Sequence, residues 1–291
     1  MFRPSTSARR LAGLIASVLL LVVLPGIVNG VAAAGSRLLA TGGVTNVNGS
    51  AGGGLTTWAL LNGYASDTED SVNANVSYTG VDDFNMQTVS LGYNWGNRLA
   101  ITLARNKLDV EPIHTHIEQQ TVGIKLRLTG DAIYSRFGQL ATGLQYTHNS
   151  DIGIGRSLGA RDAAGVDFYL AASKIFLAAL ANRNVIVNAT ARATRANQLG
   201  LLGFGSEQDN SYDLVGEFSA GLLVTPHWMI GAEYRQKPNK LRAADEDDWQ
   251  SLFLMYAPSK YLAMTLAYAD LGDIAGFADQ TGYYFALQSG F

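Results

Sequence analysis

Beyond Leu55, large apolar side chains recur at every second position through most of the chain. Val89, Leu91, Tyr93 and Trp95 interleave with Thr88, Ser90, Gly92 and Asn94, and Leu99, Ile101 and Leu103 with Ala100, Thr102 and Ala104. Val122, Ile124, Leu126 and Leu128 alternate with Thr121, Gly123, Lys125 and Arg127. Leu140, Leu144 and Tyr146, then Val166, Phe168 and Leu170, then Leu214, Phe218 and Leu222 continue the pattern. Trp228, Ile230, Ala232 and Tyr234 alternate with Met229, Gly231, Glu233 and Arg235. A period of two belongs to β-strands, whose successive side chains point to opposite faces. The pattern therefore predicts an all-β, antiparallel protein whose segments, about ten residues long, each carry one apolar and one polar face.

Two architectures fit. A soluble sandwich turns the apolar face to its core, whereas a transmembrane barrel turns it to lipid and keeps polar residues inside. Composition separates them. Only 15% of residues are charged, against roughly 25% in soluble domains, too few to cover a solvated surface. Small and polar residues dominate the second face, as in a lumen. Trp95, Phe168, Tyr212, Trp228, Trp249, Tyr261 and Tyr268 stand at segment ends, where interfacial aromatic girdles belong. An outer-membrane β-barrel is predicted.

Connection lengths orient it. Gly96–Asn97, Thr225–His227 and Ala257–Lys260 are tight, whereas Asp109–His116, Asn149–Ala164, Gln198–Ser211, Lys237–Asp247 and Gly272–Gln280 are longer and polar. Short turns face the periplasm and long loops face outward. Segments can be read from Leu55 to Phe291, and an even count requires one more or one fewer. Either residues near Leu38–Asn48 add a strand, giving about 14, or Leu55–Ala65 joins an N-terminal plug and 12 remain. The preferred expectation is fourteen: a signal peptide over 1–34, a Gly-rich first strand or plug over 35–54, and a barrel over 55–291.

The N-terminus supplies the export signal. Arg3, Arg9 and Arg10 precede the apolar run Leu11–Leu24, and Ala32–Ala34 offer a small-residue cleavage site. The run is too short for a comfortable span of ~20 residues. Cleavage removes three arginines from a chain whose formal charge is already −3, so no general basic surface for nucleic acid is expected. With no cysteine, disulfides, thiolate metal sites and cysteine nucleophiles are excluded.

At the other end, Gln280, Gly282, Phe285 and Leu287, followed by the terminal Phe291, fit polar-x-Gly-x-x-apolar-x-apolar. This resembles the terminal β-signal read by the barrel assembly machinery, with Ser289 as its departure. The charges expected in the lumen are Lys125, Arg127, Asp167, Arg192, Glu217, Glu233 and Arg235, because charge on the lipid face costs about 2–4 kcal/mol at mid-membrane. A turn centred on Pro226 places Glu217 opposite Arg235 and Leu222 opposite Ile230. Such residues either brace the lumen or filter solutes.

Other chemistry is thin. His114 and His116 form H-x-H without a third ligand fixed by spacing. His148, Asn149 and Ser150 are adjacent, so their side chains alternate faces and no triad is preassembled. Gly153–Gly159 lacks phosphate-loop spacing and reads as a flexible loop. Asp245–Asp248 lacks the calcium-loop pattern and reads as a solvated acidic run. No catalytic, cofactor or metal residue is assigned.

Leu39–Gly43, Ala51–Leu55, Leu201–Gly205, Gly231–Arg235 with Lys237–Pro238, Asp247–Trp249 and Leu266–Gly272 resemble segments of one bacterial group. It is the uncharacterised outer-membrane family labelled domain of unknown function 3034. The resemblance spans almost the whole mature chain and implies an outer-membrane barrel without an established activity. The expected function is a passive channel for small polar solutes across the Gram-negative outer membrane. The alternatives are a closed structural or surface-binding barrel and, further off, an outer-membrane enzyme. Expected partners are outer-membrane lipid, lipopolysaccharide and the assembly machinery, and homo-oligomers are compatible with such a barrel.

Overall fold

The computed structural model describes residues 45–241 and 246–291. The expected signal peptide, residues 35–44 and Asp245 lie outside them. The described strands are β1 (Ser71–Val81), β2 (Phe84–Trp95), β3 (Leu99–Val110), β4 (Thr115–Thr129), β5 (Gln139–Asn149), β6 (Ala160–Asp162) and β7 (Ala164–Leu180). They continue as β8 (Arg183–Thr194), β9 (Phe204–Ser206), β10 (Asp213–Leu223), β11 (Trp228–Arg235), β12 (Trp249–Ser259), β13 (Leu262–Asp270) and β14 (Thr281–Gly290). β6 and β9 pair with each other, and the other twelve close an antiparallel barrel in which β14 pairs with β1. None of the described helices is long and apolar enough to cross a membrane.

The alternation orients every wall strand. Val89, Leu91, Leu103, Ile124, Phe168, Phe218, Ile230 and Leu266 are exposed on the outside, Leu91 by 53%. Their neighbours Thr88, Ser90, Thr102, Thr121, Ser219 and Thr265 are buried inside. An apolar belt outside and polar residues within is the arrangement that lipid demands. Aromatic residues ring both ends of the belt. Tyr93–Trp95, Trp228–Tyr256 and Tyr261–Phe291 pack together at the end with the chain terminus. Phe168–Tyr212 and Tyr268–Tyr283 pack at the opposite end.

Tight hairpins fall at the terminus-bearing end, apart from the two-residue connection Asp82–Asp83 at the other. Gly96 and Asn97 have φ of 48° and 50°, and Ala181 and Asn182 of 48° and 58°. Positive φ at both central residues marks the hairpin turns whose twist matches the strands. Residues 150–163, 195–212, 236–248 and 271–280 connect strands at the other end. Two expectations shift. Residues 130–138 make a longer connection on the tight-turn side, and the Asp109–His116 stretch is half strand, with only 111–114 connecting.

The barrel has twelve strands, not fourteen. Residues 45–64 are buried on every side, so Leu55–Ala65 is no wall strand. A wall strand must offer one face to lipid, and here Leu55, Trp58, Leu60 and Leu61 are all enclosed together with Thr56, Thr57 and Asn62. The segment runs inside the barrel as a plug. Its backbone-to-backbone bonds are internal, among them Asn46 N–H to Ser50 O, Val47 N–H to Gly54 O, Gly53 N–H to Thr56 O and Trp58 N–H to Ala51 O.

Candidate functional site: a plugged, charged lumen

Glu233 projects from β11 into the lumen, where residues 54–56 of the plug wrap its carboxylate. Oε2 accepts the N–H groups of Gly54 (2.8 Å) and Leu55 (3.0 Å) and the Ser251 hydroxyl (3.2 Å). Oε1 accepts the Thr56 N–H (3.1 Å) and hydroxyl (2.5 Å). Successive backbone donors converging on one anion form a nest. The glycine run is what lets the backbone come this close, since a Cβ on Gly53 would overlap the carboxylate.

Glu217 on β10 holds the next turn of the plug. Its Oε2 accepts the Thr57 N–H at 2.6 Å and its Oε1 accepts Arg192 Nε at 2.6 Å. Arg192 is fully buried on β8. Its other donors reach Gln145 Oε1 (2.7 Å), Asp167 Oδ2 (3.4 Å) and the Thr57 hydroxyl (2.8 Å), and its guanidinium lies 5.0 Å from the Tyr169 ring centroid. Arg235 donates to Leu55 O at 2.8 Å and stands 3.7 Å from Glu217. Lys125 gathers three plug carbonyls, Ala51 (3.0 Å), Trp58 (2.7 Å) and Leu60 (3.0 Å). Thr190 donates to Thr57 O, Ser173 accepts the Ala59 N–H and Gln139 donates to Ala59 O.

Lys125, Asp167, Arg192, Glu217, Glu233 and Arg235 are thus all buried in the lumen, three cations against three anions, and five of the six touch the plug directly. Buried charge is stable only when paired and hydrogen-bonded, and the plug supplies the missing partners. Arg127 is set apart, half-buried near the terminus-bearing end and paired with Asp67 at 2.7 Å. Glu217 does pair with Arg235 in register, and Leu222 with Ile230. Arg192, however, is the tighter partner of Glu217, a contact invisible to hairpin arithmetic because β8 and β10 are joined through a long loop.

The opposite wall is different. Asn73 and Asn75 on β1 and Thr88 and Ser90 on β2 are buried, and their side-chain amide or hydroxyl groups have no hydrogen-bond partner among the described residues. The plug is therefore gripped by charge on the β4–β12 side, whereas toward β14, β1 and β2 it is held by neutral bonds from Tyr284 to Thr45 O, from Thr45 to Gln288, and from Ser71 and Asn94 to Asn62 O, beside the unbonded groups of Asn73, Asn75, Thr88 and Ser90.

At the loop end the lumen changes character. The inward positions Phe84, Met86, Leu108, Val110 and Ile117 are apolar and buried, which reverses the expectation of a polar interior throughout. Trp249, expected in a girdle, also points inward and is 3% exposed. Residues 197–202 fold into this mouth, where Gln119 donates to Leu199 O and Asn149 to Leu201 O. Parity assigns a side chain to the inside but cannot report that a loop will return to cover it.

The remaining candidates are placed as follows. His148 is exposed on the outer face and Asn149 is buried, so they point apart. His114 and His116 are exposed. Gly153–Ser157 forms one short helix instead of a flexible loop. The acidic run is not wholly solvated, because Glu246 is buried and accepts the Gln198 N–H at 2.9 Å. At the C-terminus, Gln280 is buried, accepts the Asp83 N–H and donates to Asp83 Oδ2. Gly282 pairs with Val81, and Phe285 and Leu287 face outward. Phe291 exchanges backbone bonds with Val72 at 2.7 and 2.8 Å, completing the seam between β14 and β1.

Solved structures share the architecture. The KdgM porin aligns with a TM-score of 0.50 at 10% identity, over 75% of this chain and 99% of its own. The NanC porin aligns at 0.48 and 12% identity, over 76% and 98%. Outer membrane phospholipase A from Escherichia coli aligns at 0.40 and 10%, over 79% and 94%. At such identities the likeness concerns the fold alone. No curated protein matches the sequence. Residues 41–288 match a family model that takes in the described plug and the twelve wall strands but for the last two residues of β14, and the chain belongs to that family, described as protein of unknown function DUF3034.

Proposed function

We propose that the protein is a gated passage for small polar solutes across the outer membrane, closed at rest by residues 45–65. One observation carries the reading. Among the described residues, the backbone-to-backbone bonds of the plug are all internal, and its bonds to the wall run through side chains, not through strand pairing. It can therefore leave without breaking a ladder bond of the barrel. The wall it would uncover is polar, with Asn73, Asn75, Thr88 and Ser90 on one side and the charged cluster on the other, which suits small hydrated solutes. No catalytic residue is part of this reading.

A second reading, a permanently closed structural barrel, draws support from the saturation of the lumen charges by the plug. Conductance separates the two. Full-length protein in a planar bilayer should show rare, brief steps, and the pair Lys125→Met with Glu233→Gln should raise open probability at least about a hundredfold by loosening the plug. If the inserted double variant stays silent, the barrel is structural.

A further inference from the structure

The apolar mouth of the lumen encloses a cavity of about 230 Å³. Phe84, Met86, Leu108 and Ile117 wall it from the strands, Leu201 and Leu202 cover it, and Trp249 closes one side. Among the described residues no charged side chain lines it. We propose that this chamber is a binding site for a small uncharged aromatic compound bearing one hydrogen-bond acceptor, such as an aryl carbonyl.

Size, lining, polarity and access each point to that ligand. An apolar cavity of about 150 Å³ suffices for benzene, so this chamber has room for a substituted ring. Aromatic surface is already arranged around it, with Phe84 and Phe277 edge to face at 5.5 Å and 86°. Buried polar groups are normally bonded, yet Trp249 Nε1 is a buried donor with no acceptor among the described residues. By contrast Gln198, also in the lining, is committed: it donates to Asp273 O and accepts from Lys237 Nζ. The cover is held in an unusual conformation, with Gln198 and Leu199 at φ of 45° and 59°, a left-handed backbone that non-glycine residues adopt at a cost and that gathers at functional sites. The chamber is reached from the loop end, where Ile113 is 54% exposed and Ile154 and Leu158 are half-buried. An apolar rim admits an apolar molecule and discourages a hydrated one. The site is independent of whether the barrel conducts.

The test is calorimetric titration of the full-length, detergent-folded protein with acetophenone and with ethylbenzene, corrected for partition into detergent alone. Both should bind saturably at one equivalent. Leu108→Trp, which fills the chamber, should abolish saturable heat for both compounds. Ile113→Asp, at the exposed rim and away from the packed wall, should weaken both at least tenfold. Trp249→Phe should weaken acetophenone about fivefold and leave ethylbenzene within twofold. Non-saturable heat from the wild-type protein would overturn the proposal, as would equal affinities for wild type and Ile113→Asp in barrels that remain heat-modifiable on gels. Equal losses of both compounds in Trp249→Phe would overturn the assigned donor.

Discussion

Replacing Glu233 by glutamine keeps the shape of the side chain and removes one acceptor oxygen from the plug. An amide accepts through one atom and donates through the other. With its nitrogen toward Gly54 and Leu55, two plug N–H groups lose their acceptor; with its nitrogen toward Thr56, one does. The second orientation is the cheaper. An orphaned buried donor costs about 1–3 kcal/mol, and loss of charge assistance on the surviving bonds adds about 1 kcal/mol each. The substitution also leaves the buried cations in excess. A total of about 3–5 kcal/mol agrees with the penalty for breaking a buried ion pair, or roughly two to four orders of magnitude in plug release. The chain has no cysteine, so Ala59→Cys, inside the plug, reports release by maleimide labelling in proteoliposomes. Labelling in the Glu233→Gln background should be faster by at least a hundredfold. Equal rates in two barrels that both migrate as heat-modifiable bands would refute the reasoning.

Arg235→Glu should release the plug and lower thermal stability, because it removes the bond to Leu55 O and sets a carboxylate beside Glu217; an exchange with Glu217→Arg should worsen the loss, since the new arginine would meet Arg192, and a rescue in melting temperature would contradict the assigned contacts. Phe285→Asp, or deletion of Phe291, should lower outer-membrane insertion and raise periplasmic degradation, and normal surface levels of both would show that the last strand is no recognition signal. The outer loop should loosen as pH rises. Burial holds the Glu246 carboxyl up at about 7 against an ordinary 4.5, with Lys237 pulling the other way, so the closed loop binds this proton more tightly than an open one. That stabilisation is complete below the ordinary value and is lost as pH climbs through 7. Burial brings Lys237 down to about 8, opposed by Glu246, so it stays charged across the same window. Exchange of the Gln198 amide, corrected for its intrinsic rate, should therefore rise at least about tenfold from pH 5 to 7.5 and stay flat in Glu246→Gln.

The wall was legible because lipid and lumen impose opposite demands on alternate residues, so Val89, Phe168 and Ile230 announce their faces from sequence. The plug was legible only as the less favoured of two strand counts, because residues 45–64 are enclosed on all sides and their burial follows no period. Its glycine run was visible, but the purpose of Gly53 and Gly54 emerges only when Glu233, far along the chain, is brought against them. Parity named Lys125, Arg192, Glu217, Glu233 and Arg235 as inward residues and could not say what they meet there. The apolar chamber eluded the same logic, since Trp249 and Leu108 have the periodicity of wall residues and become a site only when residues 197–202 return to cover them.

The central claim is that the N-terminal segment sits in the lumen and closes it. Ser173 on the wall accepts the Ala59 N–H at 2.8 Å, so cysteines at these two positions should crosslink under mild oxidation in a chain with no other thiol. The measurement is bilayer conductance of Ala59→Cys/Ser173→Cys in the Glu233→Gln background, oxidised and then reduced in the same membrane. The account predicts silence while the disulfide holds and discrete steps after reductant is added. A crosslink that fails to form, or conductance indifferent to reduction, would contradict it.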